Sequence, residues 1–327
     1  MKIKSACNYI FKDKYFQNRY GNVMLIYAFL LALIVAASLF DENFLTVGNF
    51  KNLLLTSFPL LMVAFAQGMI IFTGGIDLSL GATVALSNVA CVLLMNPDSP
   101  VGFVLPIFGG LGVGLCCGIA NGVIISKAKI PPIITTTATT AIYEGAALLL
   151  MNEPGGKIHR PFAKFLTGDV FHIPVALFLL ILIFLFVRTL TNYTPYGKAL
   201  RAIGGNESAA YSTGVKVDRI KIKVYILGSL LAAVAGIFLS AQMFSADPRL
   251  GKQYSMNAVT ASVVGGILLT GAVGDLMGTV AGVFIISVIN NMLNLIGVSS
   301  YYQFVFQGLI LIVVLSLPAI KEKRAMN

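Results

Sequence analysis

Charge is scarce. Asp, Glu, Lys and Arg make up 11% of the 327 residues, against roughly 25% in a soluble domain. Hydrophobic residues make up 57%, and the mean hydropathy is +0.87. These values exclude a soluble globular domain and place the core in lipid. Histidine is scarcer still, with His159 and His172 alone. The four cysteines, Cys7, Cys91, Cys116 and Cys117, lie neither near them nor at metal-ligand spacing. They read as free thiols, with no disulfide and no metal expected. No G-x-x-x-x-G-K-[ST] phosphate loop occurs, so the chain cannot hydrolyse ATP by that route. Spacing suggests no Ser-His-Asp constellation, and no series of buried acids and bases marks a proton relay. The chain is expected to be no enzyme and to need no cofactor.

What the chain does hold is long apolar runs. At about 20 residues per span, its length leaves room for roughly ten. The expected spans are about Asn22–Phe40, Asn52–Phe72, Leu80–Met95, Val101–Ser126, Pro131–Leu150, Phe171–Val187, Lys223–Phe244, Ala258–Thr270, Leu276–Ile296 and Tyr302–Pro318. The first run follows about 20 polar residues and is long enough to cross, so it reads as a retained helix, not a cleavable signal. The eighth segment is short, and a re-entrant course is an open alternative for it. The expected fold is therefore an all-α polytopic membrane domain covering 1–327. Segments 1–21, 188–222 and 319–327 are expected in the cytoplasm.

A net charge of +10 could suggest a nucleic-acid partner. The charges instead sit in short loops between apolar runs, as membrane topology requires. With ten spans, the outer side holds Lys51, Lys157, Arg160, Lys164, Arg249 and Lys252, which is 6 of the 23 Lys and Arg, leaving 17 inside. This is the positive-inside pattern, with both termini cytoplasmic. A weak internal repeat is also visible. Gly75–Ala85 resembles Asp275–Ala281, which follows Gly265-Gly266-Ile267.

The longest polar interruption is KALRAIGGNESAAYSTGVKVDRIKIK, Lys198 to Lys223. Gly204 and Gly205 break the backbone, Asn206 suits an N-cap, Glu207 a first turn, and Gly214 a C′ stop. Between them lies a short helix containing Ser208, Ala209, Ala210, Tyr211 and Ser212. Its nearly bare face is shaped for the grip of another protein, or it simply joins two spans. Elsewhere, Gly110, Gly114, Gly118 and Gly122 form a bare ridge for helix packing, as do Gly274, Gly278 and Gly282.

Thr136, Thr140 and Glu144 share a face of the fifth span at i, i+4, i+8, a polar stripe fit for a water-filled path. Against this, the threonines can bond to their own helix and Glu144 can reach outward to the interface. Asp77 and Asp275 read first as helix caps and second as solute contacts. Ser79 sits in the same glycine-rich turn as Asp77. Asn121, Asn290, Asn291, Asn294 and Gln303 suit interhelical hydrogen bonds or a path lining.

Several stretches resemble one known family nearly end to end. They are FLTVGNFKNLL (Phe44–Leu54), TGGIDLSLGATVAL (Thr73–Leu86), ANGVIISKAKIPPIITT (Ala120–Thr136), YGKALRAIGGNESAAYSTGV (Tyr196–Val215) and NNMLNLIGVSSYYQ (Asn290–Gln303). The family is the membrane permease subunits of bacterial ABC importers for ribose, galactose and related monosaccharides. The resemblance implies a second permease subunit, cytoplasmic ATP-binding cassettes, a periplasmic sugar-binding protein and an inner-membrane location. It also implies that Gly204–Tyr211 is the coupling helix seated in a cassette. Two departures lie on the expected path. Glu144 stands where relatives commonly carry Arg, and TTTATT replaces a pattern that tends to have Leu. An ion-coupled secondary transporter is the alternative. It would need Glu144 and no ATPase, and the missing relay argues against it. A membrane scaffold is a further alternative, with the fifth-span stripe buried and dry.

A fluorescent protein fused after Asn327 is expected to fluoresce, and alkaline phosphatase fused there to be inactive. The reverse result would put the tail outside.

Overall fold

The computed structural model describes residues 14–96, 102 and 104–299, with 302, 305, 308, 309 and 312 beyond. The N-terminal cluster Lys2, Lys4 and Lys12, Cys7, nearly all of the tenth expected span, Gln303 and the basic tail lie outside the described residues. Twelve helices are named among the described residues: α1 (Lys14–Phe40), α2 (Val47–Ile71), α3 (Leu80–Leu93), α4 (Val104–Lys127), α5 (Pro132–Leu150), α6 (Arg160–Thr167), α7 (Val175–Tyr193), α8 (Pro195–Gly205), α9 (Glu207–Ser212), α10 (Val217–Met243), α11 (Lys252–Val264) and α12 (Leu276–Leu295). A two-residue hairpin, β1 (Asp169–Val170) with β2 (Ile173–Pro174), precedes α7.

Seven of these helices, α1, α2, α4, α5, α7, α10 and α12, are long and apolar enough to cross a membrane. The apolar α3 has 14 residues and α11 has 13. At about 1.5 Å per residue, each reaches only about 20 Å, short of a hydrocarbon core of about 30 Å. Both are continued by non-helical chain, 73–79 before α3 and 244–251 before α11.

Four expected boundaries are corrected. The eighth segment is helical over Lys252–Val264 and not over Ala258–Thr270, because Gly265 and Gly266 end the helix. Phe171 belongs to the hairpin turn, with His172, and both have positive φ, 52° and 66°. The sixth span therefore starts at Val175 and runs on to Tyr193, taking in Arg188. Pro174, fixed in φ, ends β2 and leads into the helix. The seventh starts at Val217, so Arg219, Lys221 and Lys223 are helical. Gly274 is not on the α12 ridge. It precedes the helix at φ +133°, packed on Ile267, while Gly278 and Gly282 meet Gly265 and Ala261.

Helix α10 sits at the centre, packed on α4, α3 and α2. The glycine ridge of α4 faces it. A Cβ on Gly114 would lie 2.7 Å from the Ser229 carbonyl oxygen, and one on Gly118 2.6 Å from Ile226 Cα. On the other side, a Cβ on Gly236 would lie 2.4 Å from the Val84 carbonyl oxygen of α3. Phe58, Phe65, Tyr225 and Phe238 fill the space between α2, α10 and their neighbours. α12 packs on α11, α2 and α1, and α5 packs on α3 and α4. Much of α1, α4, α5 and α7 stays exposed, with Leu25, Phe108, Ile142 and Leu182 on the outside. Cys91, Cys116 and Cys117 are free thiols.

Gly118→Leu should force α4 off α10 and lower stability by about 1–3 kcal/mol, the cost of overpacking. Gly112→Ala, where nothing stands within 4 Å, should be neutral. Thermal unfolding in detergent would show whether the two differ.

Candidate functional site

The polar stretch after α7 folds into two short helices at one end of the bundle. Thr194 caps α8, its hydroxyl accepting from the Gly197 amide at 3.4 Å, and Pro195 opens the first turn. α8 rests directly on the turn that follows α2. A Cβ on Gly204 would lie 2.0 Å from the Phe72 carbonyl oxygen, so only glycine permits the contact. Asn206 then adopts an extended backbone, φ −162° and ψ 106°, and its Oδ1 accepts from the Ala209 amide at 2.9 Å. That cap starts α9. Gly214, at φ +86°, follows its end, and the Val215 amide returns to the Ala210 carbonyl at 3.1 Å.

Within α9, Ala210 is buried with Ile203 and Val217. Ser208, Ala209 and Tyr211 face outward, Tyr211 with 74% of its surface exposed. Glu207 accepts from Lys221 of α10 at 2.7 Å, tying the helix down. A groove of about 580 Å³ runs alongside, lined by Lys129, Glu207, Ser208, Tyr211, Ser212 and Asp218. The arrangement is a short, firmly held ridge with small outward side chains beside a polar groove. It can seat in a cleft of another protein.

A second group of residues lies inside the bundle. Asp77 is fully buried, and no ion pair among the described residues includes it. Its Oδ1 accepts from the Ser79 amide at 2.8 Å and the Ser79 hydroxyl at 2.7 Å. Ser79 Oγ accepts from Asn121 Nδ2 of α4 at 2.7 Å, and Asn121 Oδ1 accepts from Tyr143 of α5 at 3.3 Å. Thr136 Oγ1 accepts from the Leu78 amide and donates to the Ile76 carbonyl. Since Asn121 lies within α4, α3 begins inside the bundle.

Helix α11 begins beside it. Ser255 donates to the Leu78 carbonyl at 2.7 Å and accepts from the Gly81 amide at 2.8 Å. A Cβ on Gly81 would lie 2.1 Å from the Gly251 carbonyl oxygen. Two helix N-termini thus meet through Leu78, Gly81 and Ser255. Their positive dipole ends stabilise negative charge placed beside them, each by roughly 0.3–2 kcal/mol.

The sequence-derived candidates divide accordingly. Gly204, Gly205, Asn206, Glu207, Ser208, Ala209, Ala210 and Tyr211 form one unit. Asp77, Ser79, Asn121 and Thr136 come together in the other, and Thr140 donates to the Thr136 carbonyl at 2.7 Å. The buried face of α5 carries Thr135, Thr136, Thr139 and Tyr143, with Thr140 and Glu144 half-buried at its margin. Asp77 does not cap α3 directly, since Ser79 holds the N-cap position. Asp275 does cap α12, accepting from Met277 at 2.9 Å.

Asn291 stands elsewhere, in a reciprocal amide pair with Asn49 at 2.8 and 3.0 Å, with half-buried Asn290 beside it. Asn49 is near the start of α2, about 33 Å by helical rise from the end of that helix at Ile71. Sequence reasoning missed Ser255, Tyr143 and the inward course of Arg201. In the sequence Arg201 is one of several basic residues in the polar stretch Lys198 to Lys223.

Residues 49–315 match the family described as Branched-chain amino acid transport system / permease component. The chain is 38% identical to the ribose import permease protein RbsC of Bacillus subtilis, over 87% of this chain and 88% of that one. It is 33% identical to the galactose/methyl galactoside import permease protein MglC of Escherichia coli, over 91% and 94%. It is 32% identical to the L-arabinose transport system permease protein AraH of Escherichia coli, over 94% and 92%. No solved structure matches the chain significantly.

Ser79→Ala removes a donor to buried Asp77 and the acceptor for Asn121. It should cost about 1–3 kcal/mol of stability, whereas Ser208→Ala, on the exposed face of α9, should cost nothing measurable. Urea or thermal unfolding of both variants would test the ranking.

Proposed function

The chain belongs to the Branched-chain amino acid transport system / permease component family, and on that premise we propose that it is the membrane-spanning subunit of an ATP-driven importer of a ribose-like monosaccharide. The observation that carries the reading is α9, a capped six-residue helix with a small exposed face and a buried anchor at Ala210. An ATP-binding cassette grips Gly204–Tyr211, and ATP hydrolysis takes place in that partner. The monosaccharide assignment rests on relatives named for ribose, L-arabinose and galactose transport that cover most of the chain.

A second permease subunit completes the path. The margin of α5, with Thr140 and Glu144, faces that path with Thr136, Asp77, Ser79 and Asn121 behind it, and Asn290 and Asn291 border its outer end. Hydroxyl and carboxylate groups suit a solute rich in hydroxyls. Ten membrane segments, with α3 and α11 entering partway, place both termini in the cytoplasm of an inner-membrane protein. A binding protein on the outer side delivers the sugar. ATP closure shifts the bundle by favouring one of its two conformations, which is the energetic requirement for transport.

Ala209→Arg places a long charged side chain on the exposed face of α9 without touching the core. Wild type should co-purify with its cassette ATPase and take up labelled ribose. The variant, equally stable in the membrane, should lose both by about tenfold or more, as expected for an unpaired charge driven into an interface. Equal binding by both proteins would sink the assignment of α9.

A further inference from the structure

We propose that Arg201 is a positioning residue for transport: it clamps together the two turns through which movement of α9 reaches α3 and α12. This rests on the reading of α9 as the cassette's docking element.

The geometry is specific. Nη1 of Arg201 donates to the carbonyls of Ala272 at 3.1 Å and Gly274 at 2.9 Å. Nη2 donates to Asn192 Oδ1 of α7 at 2.9 Å. The guanidinium lies 4.3 Å from the centroid of the Phe72 ring. Phe72 in turn accepts the Ala272 amide on its carbonyl at 3.1 Å. One planar group therefore touches the turn after α2, the turn before α12 and the end of α7. Asn192 extends the contact, donating to Asp275 Oδ2 at 3.3 Å, and Asp275 Oδ1 caps α12.

These two turns lead into the two stretches that resemble one another, Gly75–Ala85 and Asp275–Ala281. The first leads from Phe72 through Gly74 and Gly75 to Asp77, Ser79 and the start of α3. The second leads from α11 through Ala272 and Gly274 to α12. The second turn is also held in an uncommon shape. Gly271, Ala272 and Gly274 all have positive φ, at 91°, 61° and 133°. Ala272 carries a Cβ there, a conformation that surrounding contacts must hold. Its amide is held by Phe72 and its carbonyl by Arg201.

Meanwhile Gly204 leaves no slack between α8 and either turn. A Cβ on it would lie 2.0 Å from the Phe72 carbonyl oxygen and 2.8 Å from the Ala272 amide nitrogen. A displacement of α8 and α9 is thus handed to both turns together, and the clamp is what keeps them in step.

A lysine would keep the positive charge and the membrane-facing charge pattern. It would lose the planar fork and the stack, because an ammonium cannot reach three acceptors in one plane over a ring. Arg201→Lys therefore separates a clamp from a mere surface charge. The full complex of permease, cassette ATPase and sugar-binding protein would be reconstituted in nanodiscs for ATPase and docking, and in liposomes for uptake, with ribose as the probe.

For Arg201→Lys we expect cassette co-purification and basal ATPase within about twofold of wild type, with ribose uptake per ATP hydrolysed lowered about tenfold. Phe72→Leu, which keeps the hydrogen bonds and removes only the ring, should lower uptake per ATP about threefold. Wild-type uptake per ATP in Arg201→Lys overturns the proposal, and so does loss of docking together with uptake, since that marks a purely structural role for α8. An unchanged ratio in Phe72→Leu overturns the part assigned to the ring. A wild-type permease that binds no cassette overturns the proposed function itself, and this proposal falls with it.

Discussion

Backbone meets backbone inside this bundle, and the contact distances of α10 follow from it. Lipid supplies no hydrophobic drive for helices to associate, so close packing must come from dispersion contacts over a large shared surface. Glycine supplies that surface on both sides of α10, through Gly114, Gly118 and Gly122 of α4 and through its own Gly236 against α3. The close approach brings Asn121 within hydrogen-bonding reach of Ser79. A methyl group at any of these positions would move α4 or α3 and open the polar cluster beneath them.

The same economy governs the two interrupted segments. Chain that leaves the helix within a bilayer loses its internal partners, and only other protein groups can replace them. Side chains do so here. Thr136 serves the Leu78 amide, Ser255 serves the Leu78 carbonyl and the Gly81 amide, and Asn88 Oδ1 accepts from the Asp247 amide at 3.0 Å. Gly155 and Ala246 exchange backbone bonds at 2.9 and 2.8 Å. Single hydroxyls and amides thus hold α3 and α11 with their N-termini together.

Much of this was legible in the sequence. Long apolar runs gave α1, α2, α4, α5, α10 and α12 their places, because hydropathy and length are dictated by the lipid itself. The four-residue glycine period announced the α4 ridge, and the Asn206 and Gly214 pair announced α9, since caps are local. What stayed hidden was set by tertiary contact. Nothing in the neighbourhood of Arg201 distinguishes it from Lys198, yet one lies over Phe72 while the other is an ordinary exposed base. Nor does the fifth-span pattern show that Thr136 turns inward to a backbone turn. Composition places a span at Leu80–Met95, close to α3, and a short segment, with a re-entrant course left open, at Ala258–Thr270, six residues past the start of α11. Their true extent depends on where the preceding chain finds partners. The hairpin at Phe171 and His172 was missed because its two left-handed residues are not the usual Asn and Gly.

Helices α2 and α12 are fastened at both ends. Asn49 and Asn291 exchange amide bonds at one end, and at the other the Phe72 carbonyl holds the turn that leads into α12. Two rods joined so do not slide past one another. They form a plank that tilts as a whole, with the amide pair as its far edge. A small rotation at the α9 end would become a lateral swing at the other, amplified by the length of the plank rather than by any bending within it.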